Sequence, residues 1–232
     1  KLEFTISELK TANNELQKDI EQKVQIDEMR KEFLSNVSHE LKTPIALIQG
    51  YAEGLKEGIS DDPESMDFYC GVIIDEAGKM NNMVKQLLTL NQLESGNDPL
   101  TIERFDIAKH IDELARTNRI RAQQKEAEIL YDYVKPEYVW ADQFKIEEVI
   151  TNYISNAINH VESLGGEKAY IKIWLGKAGL NDKKVRIHVF NTGKHIPEND
   201  IDKIWDKFYK VDKARTRAYG GTRIGLSIVK AI

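Results

Sequence analysis

Residues 33–49 read FLSNVSHELKTPIALIQ, and the reading of this stretch decides how the rest of the chain is understood. Phe33, Val37, Leu41, Ile45 and Ile48 recur at spacings of three and four, which is one face of an amphipathic helix. At ~100° per residue His39 lies about 200° from Val37, so its imidazole is expected to point outward. Glu40 beside it can take the proton that leaves the ring when a ring nitrogen acts as nucleophile. Thr43 falls one turn further along the same face. Pro44 offers no amide hydrogen to the carbonyl of Glu40, which predicts a bend just beyond the histidine. A lone histidine on a helix is more often a solvated side chain, and only the string around this one weighs against that.

Working outward, residues 1–28 carry Leu2, Ile6, Leu9, Asn13, Leu16 and Ile20 at alternating steps of four and three, the heptad spacing of a coiled coil. Asn13 on that seam would fix register and strand number. Lys23 and Asp27 then fall on the seam while Val24, Met29 and Phe33 suggest a shifted one, which reads either as a stutter or as a coil that frays. The helix is expected to run to about Lys56 and break at residues 58–63, GISDDP, where turn formers precede a helix-starting proline. A second helix to about Glu94 has the stripe Ile73, Ala77, Met80, Val84 and Leu87. One hairpin cannot bury that much apolar surface, whereas two can form a dimeric four-helix bundle with His39 outside. Residues 96–100 read as a linker.

Beyond the linker the pattern is mixed. Asp106 can cap a helix to about Gln124, residues 129–134 read as a strand, and Asp142 can cap a further helix. Ile171, Ile173 and Leu175, and then Val185, Ile187 and Val189, alternate as strands do. The class is therefore multidomain, long helices followed by an α/β layer architecture. On the Asp142 helix Ile146, Ile150, Tyr153, Ala157 and Val161 are expected to be buried. Glu148, Asn152, Asn156 and Asn159 fall on the opposite face. Asparagine is a mediocre helix former, so a line of them suggests either a ligand, such as Mg²⁺ with phosphate, or a solvated face. Asn191-Thr192-Gly193 closes a strand, with a glycine suited to close approach of a flat ring. Glycines also precede a last helix at 219–226, YGGTRIGL, where free amides attract phosphate. Lys210 to Arg217 reads as a charged loop near phosphate or an ordinary solvated one.

The totals limit the alternatives. The chain has 232 residues, 41% of them hydrophobic, enough for real cores in one large or two modest domains. A net charge of −5 gives no reason to expect nucleic acid. The single cysteine, Cys70, can form no internal disulfide, and a reducing setting is expected. No apolar run approaches the ~18 residues that span a bilayer, so no direct membrane contact is expected.

The string S-H-E-L-K-T-P resembles the phosphoacceptor box of the bacterial sensor histidine kinases. The later stretches, in order, resemble the N, G1, F and G2 boxes of that family's ATP-binding domain, whose sandwich fold is shared with gyrase, Hsp90 and MutL. FNTGKHIP and IWDKFYKVDKARTR look closest to Gram-positive, vancomycin-resistance-type sensors. The resemblance implies four parts: a coiled-coil signalling helix (1–28), a dimerisation and phosphoacceptor domain (29–95), the linker (96–100) and an ATP-binding domain (101–232). It implies a homodimer, ATP and Mg²⁺ as cofactors, and autophosphorylation of His39 assisted by Glu40. Transfer to an aspartate of a response regulator would follow, with Thr43 placing the water for dephosphorylation. Asn156 would hold Mg²⁺ beside Asn152 and Glu148. Asn159 and His160 would touch phosphate or ribose, and Asn191 and Gly193 would border the adenine. Phe208, Gly220, Gly221, Thr222, Gly225 and Leu226 would complete the pocket. The fragment would be the cytoplasmic part of a membrane sensor.

Three departures from the family pattern stand out. Asn191 occupies the place of the aspartate that accepts from the adenine amino group, His195 replaces a glycine, and Arg223 replaces the middle glycine of the G2 box. Arg223 could cost about 1 kcal/mol or more if that backbone needs a positive φ. Ile232 falls inside a helix, before the family's last strands, which implies a C-terminally truncated domain. Two other functions remain open on the sequence: a catalytically impaired signalling dimer or phosphatase scaffold, and a gyrase-type ATPase.

Overall fold

The structure, a computed structural model, describes residues 2–58, 62–96, 98–177, 184–209 and 224–232. The chain divides into two compact units, 1–80 and 81–232.

The first unit is helical. Helix α1 (Leu2–Lys56) continues on both sides of Pro44, which is itself buried. Helix α2 (Pro63–Glu94) opens on the proline, as expected, and Asp62 Oδ1 accepts from Ser65 N at 2.8 Å to cap it. The two helices meet near their turn. Tyr51 packs edge-on against Phe68 and Tyr69, with ring centroids 6.1 and 5.0 Å away. Gly54 makes that approach possible, because a Cβ there would lie 2.9 Å from the Tyr69 ring. Leu2, Ile6, Leu9, Leu16 and Ile20 remain exposed in the single chain, as do Ile45 and Ile74.

In the second unit the end of α2 is followed by strand β1 (Ile102–Asp106), helix α3 (Ile107–Gln123) and strand β2 (Glu128–Leu130). Strand β3 (Tyr138–Asp142) leads into helix α4 (Gln143–His160). Strands β4 (Tyr170–Lys177) and β5 (Val185–Asn191) and helix α5 (Gly225–Ala231) complete the described elements. Among the described residues β1 and β3 form one antiparallel sheet, and the other has the order β2-β4-β5, with β2 parallel to β4 and β4 antiparallel to β5. The core holds Ile107, Ile111 and Ala115 of α3 with Ile150, Ile154, Ala157 and Ile158 of α4. Ile129, Ile171 and Ile173 of the sheet close it.

Both aspartate caps form. Asp106 Oδ1 accepts from Ala108 N, Lys109 N and Glu137 N at 3.1, 3.3 and 3.0 Å, and Oδ2 accepts from Tyr133 Oη at 3.1 Å. Burial alone would raise this carboxyl, but the hydrogen bonds outweigh it and hold it below the usual carboxylate range. Asp142 accepts from Thr101 N at 2.8 Å and Lys145 N at 3.1 Å, and these two donors hold it low as well.

Three expectations change. The strand expected over 129–134 covers only Glu128–Leu130, because the chain leaves β4 there. Tyr131 turns into the core to donate to Ala108 O, and burial raises its hydroxyl pKa to about 12. The β1–β3 pair was not anticipated. On α4 the buried set is Ile150, Asn152, Ile154, Ala157 and Ile158, with Val161 just beyond it buried as expected and Tyr153 and Ile146 only half-buried. Helix α5 also packs on α4, so this helix is covered on a second side and Asn152 is buried rather than solvated.

Candidate active site

His39 lies exposed on α1 with Thr43 exposed one turn below and Glu40 half-buried. Thr43 Oγ1 donates back to His39 O at 3.5 Å. The imidazole therefore presents itself to solvent, with a carboxylate one residue away and a hydroxyl four residues away. Lys42, exposed and three residues on, adds a cation to the same face.

The second group of residues is built along α4. Glu148, Asn156 and Asn159 are half-buried and Asn152 is buried, so the polar line is partly covered. Asn152 Nδ2 donates to Glu148 O at 2.9 Å, one turn back in its own helix. Its Oδ1 faces Gly225 at the start of α5, where a Cβ would come within 2.5 Å of that oxygen. Glycine at 225 is thus required by a close approach, and the approach aligns α5 on α4. Leu226, next in α5, is half-buried.

At the other end of α4 three expected residues meet. Asn191, the last residue of β5, donates through Nδ2 to His160 O at 3.4 Å and to Thr192 O at 3.1 Å. Glu162 N donates to the same Thr192 O at 3.0 Å, and Thr192 N donates to Tyr170 O at 3.0 Å. Gly193 has φ 143°, and a Cβ on it would stand 2.6 Å from His160 O. With both amide hydrogens turned to carbonyls, Oδ1 of Asn191 is the remaining acceptor. His160 is exposed, yet the desolvation of its ring pulls the imidazole pKa below its ordinary value, against the opposing pull of Glu162.

Phe208 is buried with φ 65°, a left-handed conformation uncommon for an aromatic residue. Tyr209 Oη donates to Asp200 Oδ1 at 2.7 Å just after it. Lys207 pairs with Glu94 of α2 at 2.6 Å. His195 is exposed. Gly220, Gly221, Thr222 and Arg223, and the basic residues from Lys210 to Arg217, lie outside the described residues.

Sequence reasoning missed the Asn152–Gly225 approach and the pairing of Asn191 with His160 O. Neither has a local signal, since each joins residues far apart in the chain. Among the described residues no group of three or more His, Cys, Asp or Glu is arranged to hold a metal, so any cation here would rely on amide oxygens, Glu148 and its own ligands.

Residues 29–96 match the His Kinase A (phospho-acceptor) domain. Residues 141–232 match the histidine kinase-, DNA gyrase B- and HSP90-like ATPase family. The two follow each other in one chain, in the order of a phosphoacceptor and its ATPase. The chain belongs to the bacterial sensor histidine kinases. It is similar to the sensor protein SrrB of Staphylococcus aureus, 32% identical over 216 residues, which are 93% of this chain and 36% of that one. This histidine kinase chain thus spans about a third of the length of the curated relatives it matches.

Among solved structures it is similar to histidine kinase ThkA in complex with response regulator protein TrrA. The TM-score there is 0.59 at 26% identity, covering 77% of this chain and 50% of that one. Histidine kinase AdeS of Acinetobacter baumannii shares the fold, with a TM-score of 0.60 at 23% identity over 83% of this chain and 84% of that one. The expected class, helices followed by an α/β ATPase domain, is the one observed.

Proposed function

We propose that this chain transfers the γ-phosphoryl group of ATP to His39 and then to an aspartate of a response regulator. The observation that carries the reading is the presence, in one kinase-family chain, of an exposed His39 with half-buried Glu40 beside it and of a cradle we assign to the nucleotide. That cradle is the α4–β5 junction, where Asn191 and Gly193 close on His160. In the transfer a ring nitrogen of His39 bonds to the γ-phosphorus, the bond to the ADP oxygen breaks, and Glu40 takes the ring proton. Thr43 orients the water that later removes the phosphoryl group, which requires its hydroxyl to turn from His39 O.

The donors present suit the cofactors. Oδ1 of Asn191 can accept from the adenine amino group beside the Gly193 backbone. Asn156, with Glu148 and Asn152 beside it, would hold Mg²⁺, since all three carry hard oxygen atoms, and a bound ion would offset charge on the phosphates. Asn159 and His160 contact phosphate or ribose, and Phe208, Gly225 and Leu226 border the pocket. Gly220, Gly221 and Thr222 are assigned to the phosphates by resemblance.

The uncovered Leu2, Ile6, Leu9, Leu16 and Ile20 support a homodimer through a coil at 1–28 and a bundle at 29–95, joined by 96–100 to an ATP-binding domain at 101–232. Among the described residues no helix is long and apolar enough to cross a membrane. We assign the chain to the cytoplasmic side of a membrane sensor, with no nucleic-acid partner and no membrane contact of its own. The test is titration with a fluorescent ATP analogue, with Mg²⁺ and with EDTA. Saturable binding weakened by EDTA and by Asn156→Ala supports the reading; no binding to the wild type refutes it.

A further inference from the structure

We infer that Asn191 is a positioning residue that caps the C-terminal end of α4 from across the junction. On this account the aspartate of the family pattern would serve less well here than asparagine. The inference deepens the nucleotide site and rests on the reading just given. The last carbonyls of a helix have no intrahelical donor, and α4 ends in the extended residue Val161, so His160 O can take a donor from outside the helix. Asn191 Nδ2 supplies it at 3.4 Å, and its second hydrogen reaches Thr192 O at 3.1 Å. The Thr192 carbonyl already ties β5 to the chain leaving α4 through Glu162 N. One amide therefore locks the helix end, the strand end and the Gly193 backbone, whose Cβ position is filled by His160 O.

The same lock fixes the direction of Oδ1. Turning the amide over would set its oxygen against two carbonyl oxygens, so the acceptor stays pointed away from the junction. An ionised aspartate has no hydrogen for either carbonyl, and it would sit at the negative end of the α4 dipole. Both effects raise the pKa of such a carboxyl. A protonated aspartate regains one donor. Asn191→Asp should therefore add a pH dependence of its own to any that His160, beside Glu162 at the same junction, gives both chains.

The experiment uses the whole chain as wild type and Asn191→Asp, between pH 7.5 and 5.5. It reads thermal midpoint and affinity for a fluorescent ATP analogue. At pH 7.5 the variant is expected to bind about tenfold more weakly and to melt lower, as two hydrogen bonds are lost. Relative to the wild type at each pH, both deficits shrink as pH falls and the carboxyl takes up its proton. Equal or tighter binding by the variant at pH 7.5 overturns the inference. So does a deficit that stays constant with pH, which marks a merely structural role. If the wild type binds no analogue, the functional reading fails, while the pH-dependent gap in melting still decides the capping role.

Discussion

Replacing Gly225 with alanine tests the contact that aligns α5 on α4. The new Cβ would lie 2.5 Å from Asn152 Oδ1 and 3.3 Å from its Cγ, well inside contact distance. Asn152 cannot swing away freely, because it is buried and its Nδ2 is held by Glu148 O at 2.9 Å. Overpacking of this kind costs about 1–3 kcal/mol, offset by about 0.4–1 kcal/mol because alanine restricts the unfolded chain more than glycine does. A net loss of about 1–2 kcal/mol is expected, which lowers the thermal midpoint of a unit this size by about 3–8 °C. Asn152→Ala removes the obstructing oxygen, so adding Gly225→Ala to it should cost about 1 kcal/mol less than adding it to the wild type. Calorimetry on the four members of this double-mutant cycle supplies the numbers, and analogue titration shows whether nucleotide affinity follows. Additive effects in the cycle, or a Gly225→Ala chain as stable as the wild type, would refute the reasoning.

Other substitutions test the remaining joints. Gly193→Ala puts a side chain on a backbone of φ 143° and against His160 O, so it should cost about 3 kcal/mol and abolish analogue binding, read by calorimetry and titration. Asp106→Ala removes an N-cap and should destabilise the second unit by about 1 kcal/mol in denaturant melts at neutral pH. Because its carboxyl is held below its ordinary pKa, that contribution is present above the unfolded value near 3.8 and is lost as pH falls through the folded one. The gap between wild type and Asp106→Ala should therefore close in acid. Leu9→Glu with Leu16→Glu should weaken the dimer about tenfold or more in sedimentation, leaving the melting of the second unit unchanged.

The long-range periodic parts of this chain could be read in advance, and the reasons are local. Pro63 and the aspartates at 106 and 142 act on the next three or four residues, so the starts of α2, α3 and α4 followed from single positions. Strands β4 and β5 bury one face, and their alternation is visible in Ile171, Ile173, Val185 and Ile187. By contrast β1 pairs with β3 across intervening α3 and β2, with Ile102 opposite Asp142 and Arg104 opposite Trp140. Its residues IERFD carry no apolar alternation, so nothing near it announces a strand. Tyr-Val-Trp at 138–140, set between the Pro136 turn and Asp142, was the signal that could have revealed the partner.

The site shows the same division. His39 and Thr43 are both exposed one turn apart, as their spacing predicts, while Glu40 between them is half-buried. The asparagine line on α4 was also legible, but its burial was not, because the cover comes from α5, whose Gly225 lies 73 residues beyond Asn152. What Asn191 does with its amide depends on where α4 ends, and no motif records that.

Transfer of label from γ-labelled ATP with Mg²⁺, on the wild type beside His39→Gln, tests the central claim most directly. The account predicts label on the wild type that is stable in alkali and lost in acid, and none on the variant. Label that persists in His39→Gln, or a wild type that binds the nucleotide and takes no label, would contradict it.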